Sequence, residues 1–149
     1  MKEKILLALL VVLALVFSGC EKLLSSLDGG KTYTIEVTMK QPTDQYGRGL
    51  ASGKMVYGKL MVVGGNLSSP ALYSGSAQFP LDSGTAKLTF TKITNGTYMM
   101  ILFIDMNGNA SSTNLIPDRG DYAYVPLSPL YVSNNFSFVV YENYWILQR

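Results

Sequence analysis

Alternation of apolar and polar residues begins at Thr32 and predicts a series of short β-strands. Between Thr32 and Lys40 every second side chain is apolar, so one face of this segment can be buried while the other meets solvent. The segment 97–104 is almost continuously apolar and predicts a central strand buried on both faces. Further strands are predicted at 54–63, 71–75, 76–79, 85–91, 122–125 and 130–132, with one or two more within 135–147.

These segments predict an all-β fold without a convincing helix after residue 31. Seven or eight short strands, with turns roughly every eight to twelve residues, are typical of a single antiparallel β-sandwich. Each apolar face needs a cover, and a second sheet is the simplest one, although a closed barrel is the alternative. Within this pattern, Asn95-Gly96 is a turn signal and Gly58 indicates a bulge.

A different pattern occupies the start of the chain. Lys2 and Lys4 precede an apolar run over 5–17, and small residues follow it. A basic start, an apolar stretch and small residues before a cleavage point predict a secretory signal peptide over 1–19. Because a membrane-spanning helix needs about 20 apolar residues, a signal anchor is the weaker alternative.

The segment Phe17-Ser18-Gly19-Cys20 places the only cysteine of the chain directly after small residues. This segment resembles the lipobox of bacterial lipoproteins, with phenylalanine where leucine is usual. The resemblance implies that the Cys20 thiol becomes a thioether to a diacylglycerol, with palmitate-like acyl chains as the membrane anchor. Residues 20–31 are then the lipidated cysteine and a tether, although a short helix over 21–27 is the alternative. The protein would be lipid-anchored at the cell membrane or the outer membrane, on an extracytoplasmic side.

Composition narrows the chemistry that the domain predicted over 32–149 can perform. The chain has no histidine, so the commonest general base and the commonest zinc ligand are missing. With Cys20 lipidated, no thiol remains for a disulfide or for nucleophilic attack. A net charge of +2 gives no basic excess to hold nucleic acid. We therefore expect a non-enzyme without a nucleic-acid partner. A Ser-Lys or carboxylate pair survives in principle, but no motif supports one.

A polar segment directly after the predicted central strand is the strongest candidate site. Asp105, Asn107 and Asn109 alternate there, and Asp118 and Asp121 follow in the same long loop. Carboxylate and amide oxygens on one side of a tight turn are ligands that Ca²⁺ prefers. The pattern predicts a calcium site formed by these five residues. The alternative is an Asx-rich turn in which the side chains satisfy their own backbone.

The same region resembles a known class of domain. The segments 89–98, with its Asn95-Gly96-Thr97-Tyr98, 103–109, with Asp105-Met106-Asn107-Gly108-Asn109, and 117–122 are similar to transthyretin-like (prealbumin-like) and carboxypeptidase-regulatory-like domains. The resemblance covers residues 85–124. It implies a seven-stranded, immunoglobulin-like or prealbumin-like sandwich that often serves as an accessory or binding module without catalysis. A longer Ser/Asn-rich stretch over 110–116 departs from that family.

Aromatic residues crowd the last third of the chain and define a second candidate site. We expect Tyr122, Tyr124 and Trp145 to bind a ligand, because exposed aromatic rings on a sheet can stack on sugars. The alternative is that these rings only pack the sheet. The tripeptide Arg119-Gly120-Asp121 also occurs in adhesive proteins, but so short a motif recurs by chance.

Together these features predict a non-enzymatic, lipid-anchored β-sandwich of the cell envelope that acts as a binding or structural accessory module. Its expected partners are the membrane, through the N-terminal lipid, and an envelope protein or polysaccharide. The alternative is a carbohydrate-binding or adhesive surface module that uses the C-terminal aromatic residues.

Overall fold

Two β-sheets form the body of this computed structural model, which describes residues 30–111 and 113–149. The prediction of an all-β fold is confirmed: besides its strands, the described chain has only a short 3-10 turn at Glu142–Tyr144. Within these residues no helix is long and apolar enough to cross a membrane. The predicted signal peptide, Cys20 and most of the tether lie outside the described residues. The strands are β1 Thr32–Lys40, β2 Met55–Val62, β3 Tyr73–Gln78, β4 Thr85–Thr94, β5 Gly96–Asp105, β6 Tyr122–Tyr124, β7 Leu130–Val132, β8 Phe136–Val140 and β9 Ile146–Leu147.

The first sheet has the strand order β4-β1-β8, and the second has the order β3-β2-β5-β6-β9 with β7 also paired to β5. The described chain thus has nine strands rather than seven or eight, and the predicted strands 71–75 and 76–79 are the single strand β3. Purely antiparallel pairing is wrong for β1 and β8, which run parallel with Ile35 opposite Phe136. The chain leaves the first sheet after β4, forms β5 to β7 in the second, and returns beside β1 in the same direction.

Strand β5 lies at the centre of the six-stranded sheet, as its apolar run predicts. It pairs with β2 along one edge, and with β6 and β7 along the other. Its side chains therefore have neighbours on both sides, and half of them enter a cluster that both sheets share. That cluster includes Tyr98, Met100, Leu102 and Ile104 of β5, Val56 and Leu60 of β2, Ile35, Val37 and Met39 of β1, and Leu88 and Phe90 of β4.

A single residue, Asn95, connects β4 in the first sheet to β5 in the second. The turn signal at 95–96 therefore marks a corner between sheets and not a hairpin between paired strands. Shortly before the corner β4 is bulged, because its register with β1 shifts by one residue and Lys92 adopts a φ of 56°. The extra residue keeps both Phe90 and Ile93 buried although they are three positions apart.

Gly58 does not form the predicted bulge, because β2 keeps an unbroken register past it, with Gly75 on one side and Leu102 on the other. The position is instead one of close approach. A Cβ atom there would lie 2.7 Å from Leu102 Cδ2 and 2.8 Å from Cζ of Phe90, which belongs to the first sheet. Glycine is required because side chains of both sheets converge on this point.

The strands run between two ends of the domain. Thr32, where β1 begins, marks the proximal end, which also holds the loop 63–72, Asn95 and the segment 133–135. About nine residues of extended strand place the opposite, distal end about 30 Å away. The distal end holds the loops 41–54, 79–84 and 106–121 and the C-terminal segment 141–149.

The loop 106–121 folds onto the face of the six-stranded sheet that points away from the shared core. Leu115 of this loop packs with Phe103 and Ala123 in a second, smaller cluster. Tyr57 lies at its edge and stacks on Phe103 with ring centroids 5.5 Å apart. This outer face is thus covered by chain that forms no regular sheet, and the covering loop holds four of the five predicted calcium ligands, Asn107, Asn109, Asp118 and Asp121.

Candidate functional site

The predicted calcium loop begins and ends on neighbouring strands. Asp105 is the last residue of β5, and Asp121 directly precedes β6, which pairs with β5 through Ile104 opposite Tyr122. The two carboxylates are therefore brought side by side at the distal end, although sixteen positions separate them in the sequence. Both are buried, with 4% of Asp105 and none of Asp121 exposed.

Asp105 organises the tight turn that follows β5. Its Oδ1 accepts hydrogen bonds from the backbone N–H of Gly108 at 2.7 Å and of Asn109 at 3.2 Å. Its Oδ2 accepts one from the N–H of Ala110 at 3.1 Å. Gly108 has a φ of 80°, which is the left-handed conformation that the turn requires. Asp105 thus satisfies three backbone donors that no sheet partner reaches.

Asp121 closes the other end of the loop. Its Oδ1 accepts from the N–H of Met106 at 2.9 Å, and its Oδ2 accepts from the N–H of Asp118 at 3.0 Å. Burial raises the pKa of the Asp121 carboxyl above its usual range, and the nearby charges of Asp118 and Asp105 act in the same direction. The hydrogen bonds from the two N–H groups oppose this rise only in part.

Asp118 holds the two asparagines of the loop. Its carboxylate accepts hydrogen bonds from the side-chain amide of Asn107 at 2.9 Å and from that of Asn109. The hydrogen bond from Asn109 is the main cause that lowers the pKa of Asp118. Asn107 Oδ1 in turn accepts from the N–H of Asn109 at 3.1 Å, which fixes the orientation of its amide.

All five residues of the predicted calcium site therefore meet in one network, but N–H groups fill the positions that a cation would occupy. The asparagines present amide nitrogens, not oxygens, to the carboxylate of Asp118. Across residues 30–111 and 113–149, no group of three or more acidic, histidine or cysteine side chains is arranged to hold a metal ion. The geometry favours the Asx-turn alternative, and calcium binding stays a prediction that titration can test.

The tripeptide Arg119-Gly120-Asp121 lies in the same loop. Its carboxylate is fully buried and accepts hydrogen bonds from two backbone N–H groups of the domain. An adhesive tripeptide must offer its carboxylate to a partner, so this geometry does not favour an adhesive role.

The three aromatic residues predicted to bind a ligand do not share an exposed face. Trp145 is only 7% exposed, and its Nε1 donates a hydrogen bond to the carbonyl oxygen of Lys40 at 2.7 Å. Tyr122 and Tyr124 are half-buried against the shared core. The exposed rings nearby belong to Tyr141 and Tyr144, which meet edge to face at 5.9 Å.

Tyr144 also stacks on Tyr124 at 6.1 Å, and Lys40 Nζ lies 5.0 Å from the ring of Tyr141. The ligand-binding role of Tyr122, Tyr124 and Trp145 stays a prediction. If a planar ligand binds at this corner, Tyr141 and Tyr144 offer it more surface.

Sequence reasoning missed Lys59. This residue lies in the middle of β2 and is only 2% exposed, with its side chain on the same outer face as Tyr57 and Met61. In sequence it is the polar member of an alternating strand, which predicts a solvated lysine. The signal that could have revealed it is the apolar character of the outward-facing Met61 and Tyr57 on either side, which indicates a covered face.

Comparison of the chain with protein-family models, with curated proteins and with solved structures found no match. Function is therefore inferred from the sequence and from the geometry of the described residues.

Proposed function

We propose that this protein is a lipid-anchored, non-enzymatic module of the bacterial cell envelope, with a prealbumin-like β-sandwich held to the membrane through Cys20. The observation that carries the proposal is the segment Phe17-Ser18-Gly19-Cys20 directly after the apolar run, and the polarity of the domain supports an orientation on the membrane. Among the described residues every carboxylate except Glu36 lies at the distal end: Asp44, Asp82, Asp105, Asp118, Asp121 and Glu142. The chain enters at the other end.

Within the described residues, the proximal end has no carboxylate and exposes apolar side chains that can contact a bilayer, although the distal end also exposes apolar residues such as Leu81 and Ile146. The exposed apolar side chains of the proximal end are those of Val62, Val63, Leu67, Leu72 and Tyr131, with exposed fractions from 40% to 64%. Lys92 adds a positive charge, and Lys31 directly precedes the first strand. Basic residues near an anionic membrane surface contribute about 1 kcal/mol each. An acyl anchor at Cys20 would hold this end against the membrane and turn outward the loops that carry most of the carboxylates.

The class of function follows from the chemistry that the chain has and lacks. Without histidine and with its thiol lipidated, the chain is poorly equipped for catalysis. Its distal loops instead offer a shaped surface held by side-chain hydrogen bonds, which suits binding or a structural role in an envelope assembly. The second candidate is a carbohydrate-binding or adhesive module, and the exposed pair Tyr141 and Tyr144 is the observation that favours it.

Replacement of Cys20 tests the anchor. In the Cys20→Ala variant we expect either an uncleaved precursor or release of the protein from the membrane fraction, whereas Ser25→Ala in the tether should behave as wild type. Mass spectrometry of the wild-type mature protein should find a diacylglyceryl cysteine at its N-terminus. An intact Met1 on that protein would rule out the lipoprotein assignment.

A matched pair of labels tests which end faces the membrane. Leu67 at the proximal end and Leu81 at the distal end are both exposed leucines, and each can be replaced by cysteine to carry a polarity-sensitive fluorophore. In the anchored protein, Leu67→Cys should report an apolar environment and Leu81→Cys an aqueous one. Equal aqueous signals would remove the proposed orientation while leaving the anchor itself intact.

A further inference from the structure

Lys59 is a buried cation without an acidic partner. Its ammonium group donates hydrogen bonds to the backbone carbonyl oxygen of Leu67 and, at 3.2 Å, to that of Ser69. Among the described residues the only ion pair joins Arg48 and Asp44, at the distal end. A buried charge is strongly unfavourable unless it is paired and hydrogen-bonded. The two carbonyls meet this requirement only in part, because they supply dipoles and no opposite charge.

A cavity of about 350 Å³ lies beside this lysine, between the loop 63–72 and the loop 106–121. This volume is within the range of about 300–1,000 Å³ that small-molecule sites occupy. Besides Lys59, its polar lining consists of hydroxyl-bearing residues, and two aliphatic residues form part of the remaining wall: Ser68, Ser69, Ser74, Thr113, Leu115 and Ile116.

One N–H of the Lys59 ammonium group and the hydroxyl of Ser69 remain able to donate hydrogen bonds to a ligand. An ammonium group has three N–H donors, and the carbonyls of Leu67 and Ser69 account for two of them. Ser69 Oγ accepts from the N–H of Asn66 at 2.9 Å, so its own O–H can point elsewhere. Ser74 lies directly opposite Lys59 in the β2–β3 register, where side chains on one face approach to about 5 Å.

We propose that this cavity binds a small oxyanion, a carboxylate or phosphate group, with Lys59 as its counter-ion and the neighbouring hydroxyl groups as additional donors. Such a ligand supplies the negative charge that the buried ammonium lacks. Charge-assisted hydrogen bonds of this kind are about twice as strong as neutral ones. Burial lowers the pKa of Lys59, which is the expected sign for an ammonium without a counter-ion.

The competing account gives Lys59 a purely structural role, in which the ammonium fastens the loop 63–72 to the sheet through its two carbonyl contacts. That account requires no ligand and predicts no dependence on the kind of anion present. The two accounts therefore differ in a measurable way. The anion site is independent of the lipid anchor, because only residues of the described domain form it.

The full chain in a neutral detergent, at constant ionic strength set with chloride, is suitable for the test. Its melting temperature is followed while acetate, phosphate, glucuronate or glucose is titrated to 50 mM. A tenfold excess over Kd should raise the melting temperature by about 5 °C. Glucose is the neutral counterpart of glucuronate and should have no effect. A response to acetate and phosphate alone would identify a free small oxyanion, and a stronger response to glucuronate would identify an acidic sugar.

Three variants locate the effect. Lys59→Met removes the charge and should abolish the response to every anion, and Lys87→Met, which removes an exposed lysine of β4, should keep it. Ser74→Trp fills the cavity from the exposed edge without changing the charge, so it decides the question even if Lys59→Met fails to fold. The proposal is overturned if wild type does not respond to any anion, if Ser74→Trp responds as wild type does, or if glucose acts as glucuronate does.

Discussion

The two faces of the six-stranded sheet are covered in different ways. Its inner face meets the first sheet and is lined by apolar side chains such as Val56, Leu60 and Leu102. Its outer face is covered by loops and includes two buried charged residues, Lys59 and Asp105. The same strands, β2 and β5, supply both faces, so the difference arises from what covers them.

This contrast shows how a loop cover makes buried charge tolerable. Between two sheets, backbone N–H and C=O groups are used in the strand ladders and cannot solvate a side chain. A loop has backbone groups without ladder partners, and here they turn inward. Carbonyl oxygens of one loop accept from Lys59, and N–H groups of another donate to Asp105 and Asp121. Both candidate polar sites therefore lie on the loop-covered side or at its margin.

The largest effect on stability is expected from a substitution on the inner face of the six-stranded sheet. Leu102 is fully buried among side chains of both sheets, so Leu102→Ala should lower the free energy of unfolding by about 2–5 kcal/mol through lost burial and a cavity. Urea denaturation of the full chain measures this change. Leu81→Ala, at an exposed position, should change stability by less than about 0.5 kcal/mol. Equal effects of the two substitutions would mean that the shared core is not the main source of stability.

The inner face could be predicted from sequence because one physical rule governs it. A strand packed on a sheet alternates with period two, and the central strand is apolar throughout, so β1 and β5 were predicted nearly residue for residue. The same rule gave no information on pairing order, and so the parallel pair β1–β8 was missed. It also could not show that Asn95 joins two sheets, since a corner and a hairpin use the same turn residues.

The outer face could be predicted only in part. The acidic residues of the loop 106–121 were recognised as one cluster because they crowd the sequence after an apolar strand. Their hydrogen-bond partners could not be inferred, because backbone N–H groups of a loop have no sequence signature. Lys59 was missed for a related reason: whether a lysine in a strand is solvated depends on which loop folds over it.

On the outer face, Asp121→Ala should have the next largest effect. The substitution removes the acceptor for the N–H groups of Met106 and Asp118, and a buried donor without an acceptor costs about 1–3 kcal/mol. Hydrogen exchange should show faster exchange of these two amides, with the core of β5 unchanged. Asp82→Ala, an exposed acidic residue of another distal loop, is the control. Unchanged protection of both amides would contradict the role assigned to Asp121.

A smaller effect is expected from pH, with opposite signs for two neighbouring carboxylates. The pKa of Asp121 is raised in the folded protein. The favourable contribution of this carboxyl to the free energy of unfolding is therefore complete below its pKa in the unfolded chain, about 3.9, and is lost as pH rises through the folded pKa. The pKa of Asp118 is lowered, so its contribution exists above about pH 3.9 and is lost as pH falls.

The stability deficit of Asp121→Asn relative to wild type should therefore shrink as pH rises from about 4 to 7. The deficit of Asp118→Asn should grow as pH rises from about 2 to 5. Thermal denaturation of the three proteins over this range gives both trends, and other titrating groups cancel in the differences. If the two deficits change in the same direction, the burial of Asp121 does not control its ionisation.

The smallest expected effect is that of calcium, for which the geometry predicts no stabilisation. The carboxylate oxygens of Asp105, Asp118 and Asp121 already accept hydrogen bonds from N–H groups, so a cation would have to displace donors that the fold supplies. If the loop did bind Ca²⁺, a hundredfold excess over Kd would stabilise the domain by about 2.7 kcal/mol. Extracellular modules bind at about 10⁻⁴–10⁻³ M, so the titration should reach about 10 mM.

A rise in melting temperature that Asp105→Ala abolishes and that Mg²⁺ does not reproduce would restore the calcium site predicted from the sequence. It would also mean that Asn107 and Asn109 turn their amide oxygens towards the ion. Both loops that cover the outer face would then depend on a ligand, the loop 63–72 on an oxyanion at Lys59 and the loop 106–121 on calcium.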